Sequence, residues 1–541
     1  VTKRHFIDGL WLALCAAVVL LLDAALASDW PVHVDTVNLG LGAIRGFDPL
    51  HYQPHPPGYL GYVLYLDFLN LLGFGAGEAV PLARWGARIA AAGVPVVAGL
   101  LARQVWQDSK ALRIAALLAA TNPLLLTYAM DGQTYPAEAI ALGAGLAACF
   151  YVLRRPDLLA CVVLGLVVGA LGALRPTITV FLGLPSLFVL IRVRRDIGLK
   201  GWLASIGAGA AALLAWFLPT ILTVGGFDAW RELTGALVND TIAAAYSPLS
   251  AVSDPRSLVQ NTVILIVGLA FVTAPALLGL VGSLGTTKND DRGQKEAGRN
   301  LLWLGAALVV PSALLYVLLF CAEPGYLLGQ LPLWTTVGAG LLLRRSSEPR
   351  ALALAAVGAL LQVVVFLGLP GQIRHGAENV QLSPLPSAAS ISLRQRQAAA
   401  WTKDATAGLP PGDRQLVLSD YPADTWTKNL PLVSPDSSVL LVHLGGRYVM
   451  FRWDTMTFYH DGPLRWAPGP VPLADGNNPE IRVSERFRWL RLDPAASASF
   501  EAMIRGQARC PEARTATLLP VDCFPDRELR LGDRLRFFWE R

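Results

Sequence analysis

Ser28-Asp-Trp-Pro-Val-His33-Val-Asp35-Thr36-Val-Asn38 runs on through Arg45-Gly-Phe47-Asp48-Pro49 to His51-Tyr-Gln53-Pro54-His55-Pro56-Pro57-Gly58-Tyr59. This polar stretch sits where the chain is otherwise mostly hydrocarbon. It holds three of the seven histidines and three acids, Asp29, Asp35 and Asp48. Its plainest reading is a solvated loop with turn prolines. An acid such as Asp35, held at a membrane surface among aromatic and histidine side chains, is also suited to moving a proton or holding a cation.

Working outward, the surroundings are those of a membrane protein. The 541 residues are 53% hydrophobic and 16% charged, whereas soluble domains carry nearer a quarter charged residues. The net charge of +5 is small, and no nucleic-acid partner is expected. Cys15, Cys149, Cys161 and Cys321 lie in or beside apolar runs, where cysteine acts as a small hydrophobe. Cys510 and Cys523 lie in a polar region and form a candidate disulfide; its loop would contribute about 3 kcal/mol in the chain-entropy model. No C-x-x-C or other metal-ligand spacing occurs.

Lys3 and Arg4 precede an apolar run from about Phe6 to Ala27. The run is long for a signal peptide and many more follow, so it reads as an uncleaved first span with Asp23 turned toward an active cavity. Later runs centre on 82–102, 112–130, 136–153, 158–174, 177–191, 202–223, 258–284, 301–320, 326–343 and 351–370. The run 59–73 is shorter than the about 20 residues of a span, and carries Asp67 and Asn70. Its Tyr59, Tyr62 and Tyr65 recur every third residue, the pattern of an interfacial helix with an aromatic edge.

Charge decides whether 59–73 crosses. If it lies in an external loop spanning 28–81, eighteen Lys and Arg fall in inner loops and four, Arg45, Arg175, Arg231 and Arg256, in outer loops up to residue 325. If it crosses, the bias reverses, so the positive-inside rule selects the first arrangement. The fold expected for 1–370 is therefore an all-α polytopic bundle of about eleven transmembrane helices in the cell (inner) membrane. The N-terminus is cytoplasmic, and Asp35, Asp131, Arg175 and Glu323 share the outer side. Residues 371–541 turn polar; Gln415–Ser419, Ser438–His443, Arg447–Trp453 and Arg534–Trp539 read as strands. They are expected to form a small extracytoplasmic α/β domain.

Several outer groups could carry chemistry. Asp131-Gly-Gln-Thr-Tyr135-Pro-Ala-Glu138 joins two spans, as a hydrated hairpin or a cavity lining. Arg175-Pro176 makes a tight turn in which an arginine can bind a lipid phosphate bidentately. Arg84 and Arg88 share a helix face and could do the same, although snorkelling to headgroups is the preferred reading for them. Glu323-Pro-Gly-Tyr326 opens a span, with Pro in a first turn and Tyr at the aromatic belt. His33, His51 and His55 with Asp35 and Asp48 are the candidate set for a divalent metal. Their spacing fits no standard site, and Pro54, Pro56 and Pro57 exclude a helical His-x3-His pair.

The segments Asp35-Thr-Val-Asn, Phe47-Asp48 and Gln53-Pro-His-Pro-Pro-Gly-Tyr59 together resemble the first external loop of the GT-C membrane glycosyltransferases. The nearest branch is that of the dolichyl-phosphate-mannose protein mannosyltransferases and lipid A aminoarabinose transferases (family 39-like). The resemblance covers about 1–370 and is strongest over 35–59. It implies that Asp35 is the catalytic acid; Thr36 follows it, so the paired-acid form is absent. It also implies a lying helix in the first loop, an acid and a tyrosine in the Asp131–Glu138 loop, and a Pro-Gly-Tyr segment near the lipid-donor pocket. His55, Tyr59, Asp131, Tyr135, Glu138, Arg175, Glu323 and Tyr326 are the candidate substrate-binding residues. The expected activity is inverting transfer of a sugar from a polyprenyl-phosphate donor to a glycan, lipid or protein acceptor on the outer face. The alternative is a membrane transporter or lipid flippase, but those place charged groups near the bilayer midplane and often in repeated halves. Here the polar groups gather at one surface and no repeat is found.

A reporter fused after Arg396 is expected to be active outside the cytoplasm; a cytoplasmic signal there would overturn the charge-based orientation.

Overall fold

The computed structural model describes residues 2–26, 34–49, 54, 57–235, 247, 256–282, 292–319, 321, 323–345, 347–370 and 386–392, and nine short strands between 415 and 530. By its internal contacts the chain forms two compact units. The first comprises Val1–Asp29, Asn38–Pro49 and Gln53–Leu393; the second comprises Trp30–Val37, Leu50–Tyr52 and Arg394–Arg541.

The described elements of the first unit are all helical. Its helices are α1 (Thr2–Leu26), α2 (Val34–Arg45, which enters it at Asn38), α3 (Leu60–Leu71), α4 (Ala79–Trp106), α5 (Ser109–Ala120), α6 (Pro123–Asp131), α7 (Tyr135–Arg154), α8 (Leu158–Leu171), α9 (Pro176–Arg192), α10 (Arg194–Thr223) and α11 (Phe227–Gly235). Helices Arg256–Gly282, Arg292–Leu318, Leu331–Arg345 and Glu348–Gly368 follow, with a 3-10 segment, Pro324–Gln330, before the third of these. Among the described residues eight helices are long and apolar enough to cross a membrane, and a ninth span arises if α5 and α6, bent by 55°, count as one. Helices α8 and α9 are shorter apolar helices. These elements coincide with the eleven apolar runs, and the chain is a multi-pass membrane protein.

Local chemistry sets the helix ends. Asn122 Oδ1 accepts the N–H groups of Leu124 and Leu125 at 3.0 and 3.4 Å, and Pro123 occupies the first turn, so α6 starts afresh at the bend. Asp108 and Asp157 cap α5 and α8 in the same way. Gly132, at φ +82, ends α6 in the left-handed region.

Packing separates inner from outer helices. The apolar window of α7 is 72% buried and that of α10 only 11%. Leu203, Ile206, Leu214, Leu218 and Leu222 of α10 are exposed, an apolar face that only lipid can satisfy. Helix α4 packs against α1, α5, α7 and the 331–345 helix. Helix α1 is tied at both ends. Arg113 donates twice to Asp8, at 2.9 and 3.1 Å, and Asp23 pairs with Arg88 of α4.

Helix α3 has twelve residues, so it is about 18 Å long and too short to cross a hydrocarbon core of about 30 Å. Its aromatic edge faces protein. Tyr59 and Tyr62 are buried, and the Tyr65 hydroxyl donates to the Gly86 carbonyl at 2.9 Å. The outward stripe is Leu64, Phe68 and Leu71. A three-residue period does not say which face looks inward, and here the hydroxyl of Tyr65 finds its partner on α4. The N–H of Gly61 donates to the carbonyl of Ala173 at 2.8 Å, fastening α3 to the turn between α8 and α9.

In the second unit the described elements of the polar tail are strands: β1 (Gln415–Ser419), β2 (Val439–His443), β3 (Val449–Arg452), β4 (Thr457–His460), β5 (Arg482–Val483), β6 (Phe487–Leu490), β7 (Ala508–Arg509), β8 (Val521–Pro525) and β9 (Leu529–Arg530). Seven form a mixed sheet of order β4-β3-β2-β1-β6-β8-β7, and β5 pairs with β9. Strand β1 runs parallel to β2 and β6, with Leu416 opposite Leu440 and Phe487. Parallel neighbours need a crossover, and the link 420–438 is long enough for one. The strands expected at 415–419 and 438–443 are found and that at 447–453 is present as β3; 534–539 and Cys510 lie outside the described residues, as does the side chain of Cys523.

A Cβ at Gly61 would fall 2.6 Å from Ala173 Cβ and 2.9 Å from its carbonyl carbon. Gly61→Ala is therefore expected to destabilise the detergent-solubilised protein by about 1–3 kcal/mol in thermal unfolding. Gly9→Ala, with nothing within 4 Å of the new methyl, is the control. Equal melting of the two variants would remove this contact as an anchor of α3.

Candidate functional site

The turn that receives α3 also carries Arg175. This residue stands at the N-cap of α9, with Pro176 in the first turn. It is about nine-tenths buried, and its Nη1 donates to Glu138 Oε2 at 2.8 Å. Glu138 lies in the first turn of α7 and is 1% exposed. Two tyrosine rings lie against the guanidinium. Its carbon lies 5.0 Å from the ring centre of Tyr135 and 4.9 Å from that of Tyr326, distances that give cation–π attraction. Burial alone would make Arg175 easier to deprotonate, but the Glu138 carboxylate beside it holds its pKa above the usual arginine value, so the cation is permanent.

The cage extends into a string of aromatic rings. Tyr128 meets Tyr135 edge-on at 4.8 Å, Tyr135 meets Tyr326 at 5.3 Å, and Tyr326 meets Tyr316 at 5.2 Å. Two glycines let the 3-10 segment come this close. A Cβ at Gly325 would fall 2.5 Å from Tyr128 and 2.6 Å from Tyr135; one at Gly329 would strike Leu142 and crowd Glu138. Beside the cage the Gln133 side-chain amide donates to Asp131 Oδ2 at 2.7 Å and to Glu323 Oε2 at 3.2 Å. It thereby joins the α6–α7 turn to the start of the 3-10 segment. The segment before it is held by Asn261, whose Oδ1 accepts the N–H of Cys321 at 3.3 Å.

The structure thus brings together Asp131, Tyr135, Glu138, Arg175, Glu323 and Tyr326. Tyr59 is buried close enough to act on the Arg175 charge. Asp35 is half-exposed in the first turn of α2, where the helix N-terminus favours a carboxylate; by its contacts it belongs to the second unit. Arg84 is buried. Arg88 pairs with Asp23 and lies 5.2 Å from the Trp85 ring, so an ion pair inside the bundle takes the place of the snorkelling expected for it. Asp23, 1% exposed, is that pair's anion. His33, His51 and His55 lie outside the described residues. Among the described residues no group of three or more His, Cys, Asp and Glu is placed to hold a metal ion.

Sequence reasoning missed Gln133, Tyr128 and Tyr316. Gln133 was legible inside the Asp131–Glu138 turn. Tyr316 is a lone aromatic in an apolar run, and nothing local sets it apart.

Comparison with known proteins bears on the fold. No protein-family model and no curated sequence matches the chain. Among solved structures it is similar to ArnT from Cupriavidus metallidurans in the apo state, with a TM-score of 0.57 and 12% identity over 97% of this chain and 98% of that one. The chain has an ArnT-like fold, an all-α polytopic membrane architecture.

Replacing Arg175 by Met leaves Glu138 buried without its cation, which is expected to cost about 3–5 kcal/mol of stability. Arg175→Met combined with Glu138→Met should regain most of that loss. Unfolding of the detergent-solubilised variants checks this; a double variant as unstable as the single one would show that charge pairing is not the cause.

Proposed function

We propose that the protein is a GT-C type membrane glycosyltransferase. It moves a sugar from a polyprenyl-phosphate donor to a glycan, lipid or protein acceptor on the outer face of the membrane. The observation that carries this reading is Arg175. Its guanidinium lies against two tyrosine rings, and among the described residues only one of its N–H groups donates to protein, the one on Glu138. A planar fork with unused donors is the group that recognises phosphate oxygens. The N-terminus of α9 adds its positive dipole end at the same place. The fold shared with ArnT, which carries the GT-C fold, and the first-loop resemblance support the same class.

The chemistry follows from the groups available. Donor lipid reaches the site through the bilayer, so no nucleotide-binding loop is required. Asp35 takes the proton of the acceptor hydroxyl as its oxygen attacks the anomeric carbon. The bond from that carbon to the phosphate oxygen breaks with its electron pair leaving on phosphate, and configuration inverts. Arg175 neutralises the charge that develops there. Asp131, Glu323, Tyr135, Tyr326 and Tyr59 would serve the sugar and lipid-phosphate side, and His55 is a further candidate from the first-loop sequence. A divalent metal at the first loop would draw on His33, His51, His55, Asp35 and Asp48.

Asp35→Asn keeps size and a hydrogen-bond acceptor but removes the base. Transfer is expected to fall by roughly 10²–10⁴-fold with donor binding largely kept. The measurement is mass spectrometry of cell-envelope glycolipids and glycans from cells carrying either form, followed by a donor assay on the product identified. Normal transfer by Asp35→Asn with loss in Asp131→Asn would move the base to Asp131. Normal transfer by both would remove the glycosyltransferase reading's main support.

A further inference from the structure

The pair at the centre of the site is poorly built for a structural role. A salt bridge retained for stability deep in a bundle needs good geometry and satisfied lone pairs, because desolvation works against it. Here Arg175 meets Glu138 through one N–H and one oxygen. Glu138 Oε1 is buried and has no hydrogen-bond partner among the described residues. An unmet carboxylate oxygen costs more the deeper it lies. Gly329 sits directly over it, and a Cβ there would come within 3.5 Å of Oε1. Glu138 is therefore held beside Arg175 without being satisfied by it. The guanidinium is held in place by Tyr135 and Tyr326, whose rings lie against it. What can change is which anion lies along its edge.

We infer that Glu138 is the exchangeable counterion of the phosphate site. With no donor bound it neutralises Arg175. When a lipid phosphodiester takes the guanidinium, Glu138 gives it up and takes one proton from solvent, forming a neutral carboxylic acid. Two anions cannot share one buried cation at low cost, so the arriving phosphate raises the proton affinity of the carboxylate it displaces. Charge balances: one anion arrives, one carboxylate is neutralised, and the site keeps the charge it had. The inference rests on Arg175 being the phosphate ligand and adds what that ligand does while the site is empty.

The charged and titratable groups about Glu138 are Arg175 on the turn before α9, Tyr135 on its own helix, Tyr326 and Glu323 on the 3-10 segment, and Tyr316 on the 292–318 helix. Asp131 joins Glu323 through Gln133. Tyrosines and arginine do not ordinarily titrate below about pH 9, so the three acids are the groups to separate experimentally.

The probe is farnesyl methyl phosphate, a phosphodiester that stays a monoanion across the pH range and carries no sugar. It is titrated by calorimetry against the full-length protein in maltoside micelles, which contain no phosphate. Wild type should take up close to one proton per ligand at pH above the Glu138 titration, read from the heat in buffers of different ionisation enthalpy. Affinity should fall there by up to about tenfold per pH unit. Glu138→Gln should bind with no pH slope and, at high pH, more tightly than wild type; Glu323→Gln and Asp131→Asn should keep the slope. Wild type that binds without proton uptake, or Glu138→Gln that keeps the slope, overturns the counterion role. The proton count needs no variant, so the inference stays testable if Glu138→Gln does not fold. Arg175→Gln separates the two layers: if it binds the probe like wild type, the phosphate reading itself fails. Dimethyl phosphate distinguishes the source of the anion. A lipid-phosphate site loses most of its affinity for it, and equal affinity would overturn the lipid donor.

Discussion

A guanidinium inside a bundle with lipid-facing helices must be given an anion, and the architecture around Arg175 answers that demand. The charge cannot be lost by deprotonation, so it is compensated by a carboxylate from α7 and by the faces of two tyrosines. Each partner comes from a different part of the chain. Glu138 and Tyr135 belong to the start of α7, Tyr326 to the 3-10 segment, and Arg175 to the turn before α9. One buried cation thus draws its partners from three parts of the chain at one end of the bundle. The opposite end has its own clamp, where Asp8 receives Arg113 and, at 3.7 Å, Arg103. Between the two the packing is mostly apolar, crossed by buried polar links such as Thr121 with Gln362 at 2.8 Å and Gln330 with Ser312 at 2.9 Å.

Close approach at the site depends on absent side chains. Gly61 lets α3 press against Ala173, two residues before Arg175. Gly325 and Gly329 let the 3-10 segment lie flat on the tyrosines and on Glu138. Helices α8 and α10 approach in the same manner, with Gly165 and Gly169 against Ser205 and Gly209, and the Trp216 indole donates to the Gly169 carbonyl at 2.9 Å. In lipid, where apolar burial drives helices together only weakly, contact of this kind carries more of the association. The turn with Arg175 is thus braced by α3 on one side and by the α8–α10 contact on the other.

Much of this was legible. Alternation of apolar runs and the charge bias put Asp131, Arg175 and Glu323 at one end of the bundle, and the structure brings that end together. The length of 59–73 was sufficient to deny it a crossing. The strand at 415–419 showed in its residue content. Pairing was not legible. Glu138 and Arg175 are far apart in sequence and no local pattern links them, so Arg175 read as an open cation. Arg88 read as a headgroup contact because nothing near it announced Asp23 on another helix. Which way the tyrosines of α3 face was not legible, because a period of three marks a stripe without saying whether lipid or protein lies against it. Long-range partners decide each of these, and a sequence lists them without their distances.

The two ends of the proposed reaction call for different kinds of support, and the chain supplies them differently. Holding a phosphate is a matter of fixed charge, best done by a group with no freedom; Arg175, packed against two tyrosine rings and set at a helix start, has little. Taking a proton from an acceptor hydroxyl needs a group that remains hydrated enough to ionise and that the acceptor can reach. Asp35, half-exposed in the first turn of a helix that begins in a polar loop, meets that need in a way that the buried Glu138, Asp131 and Glu323 do not. A carboxylate at 1% exposure, as Glu138 is, is poor at exchanging protons with an acceptor but well suited to answering a change in the charge beside it. In the proposed reaction two carboxylates thus serve two purposes, and what divides them is access to water.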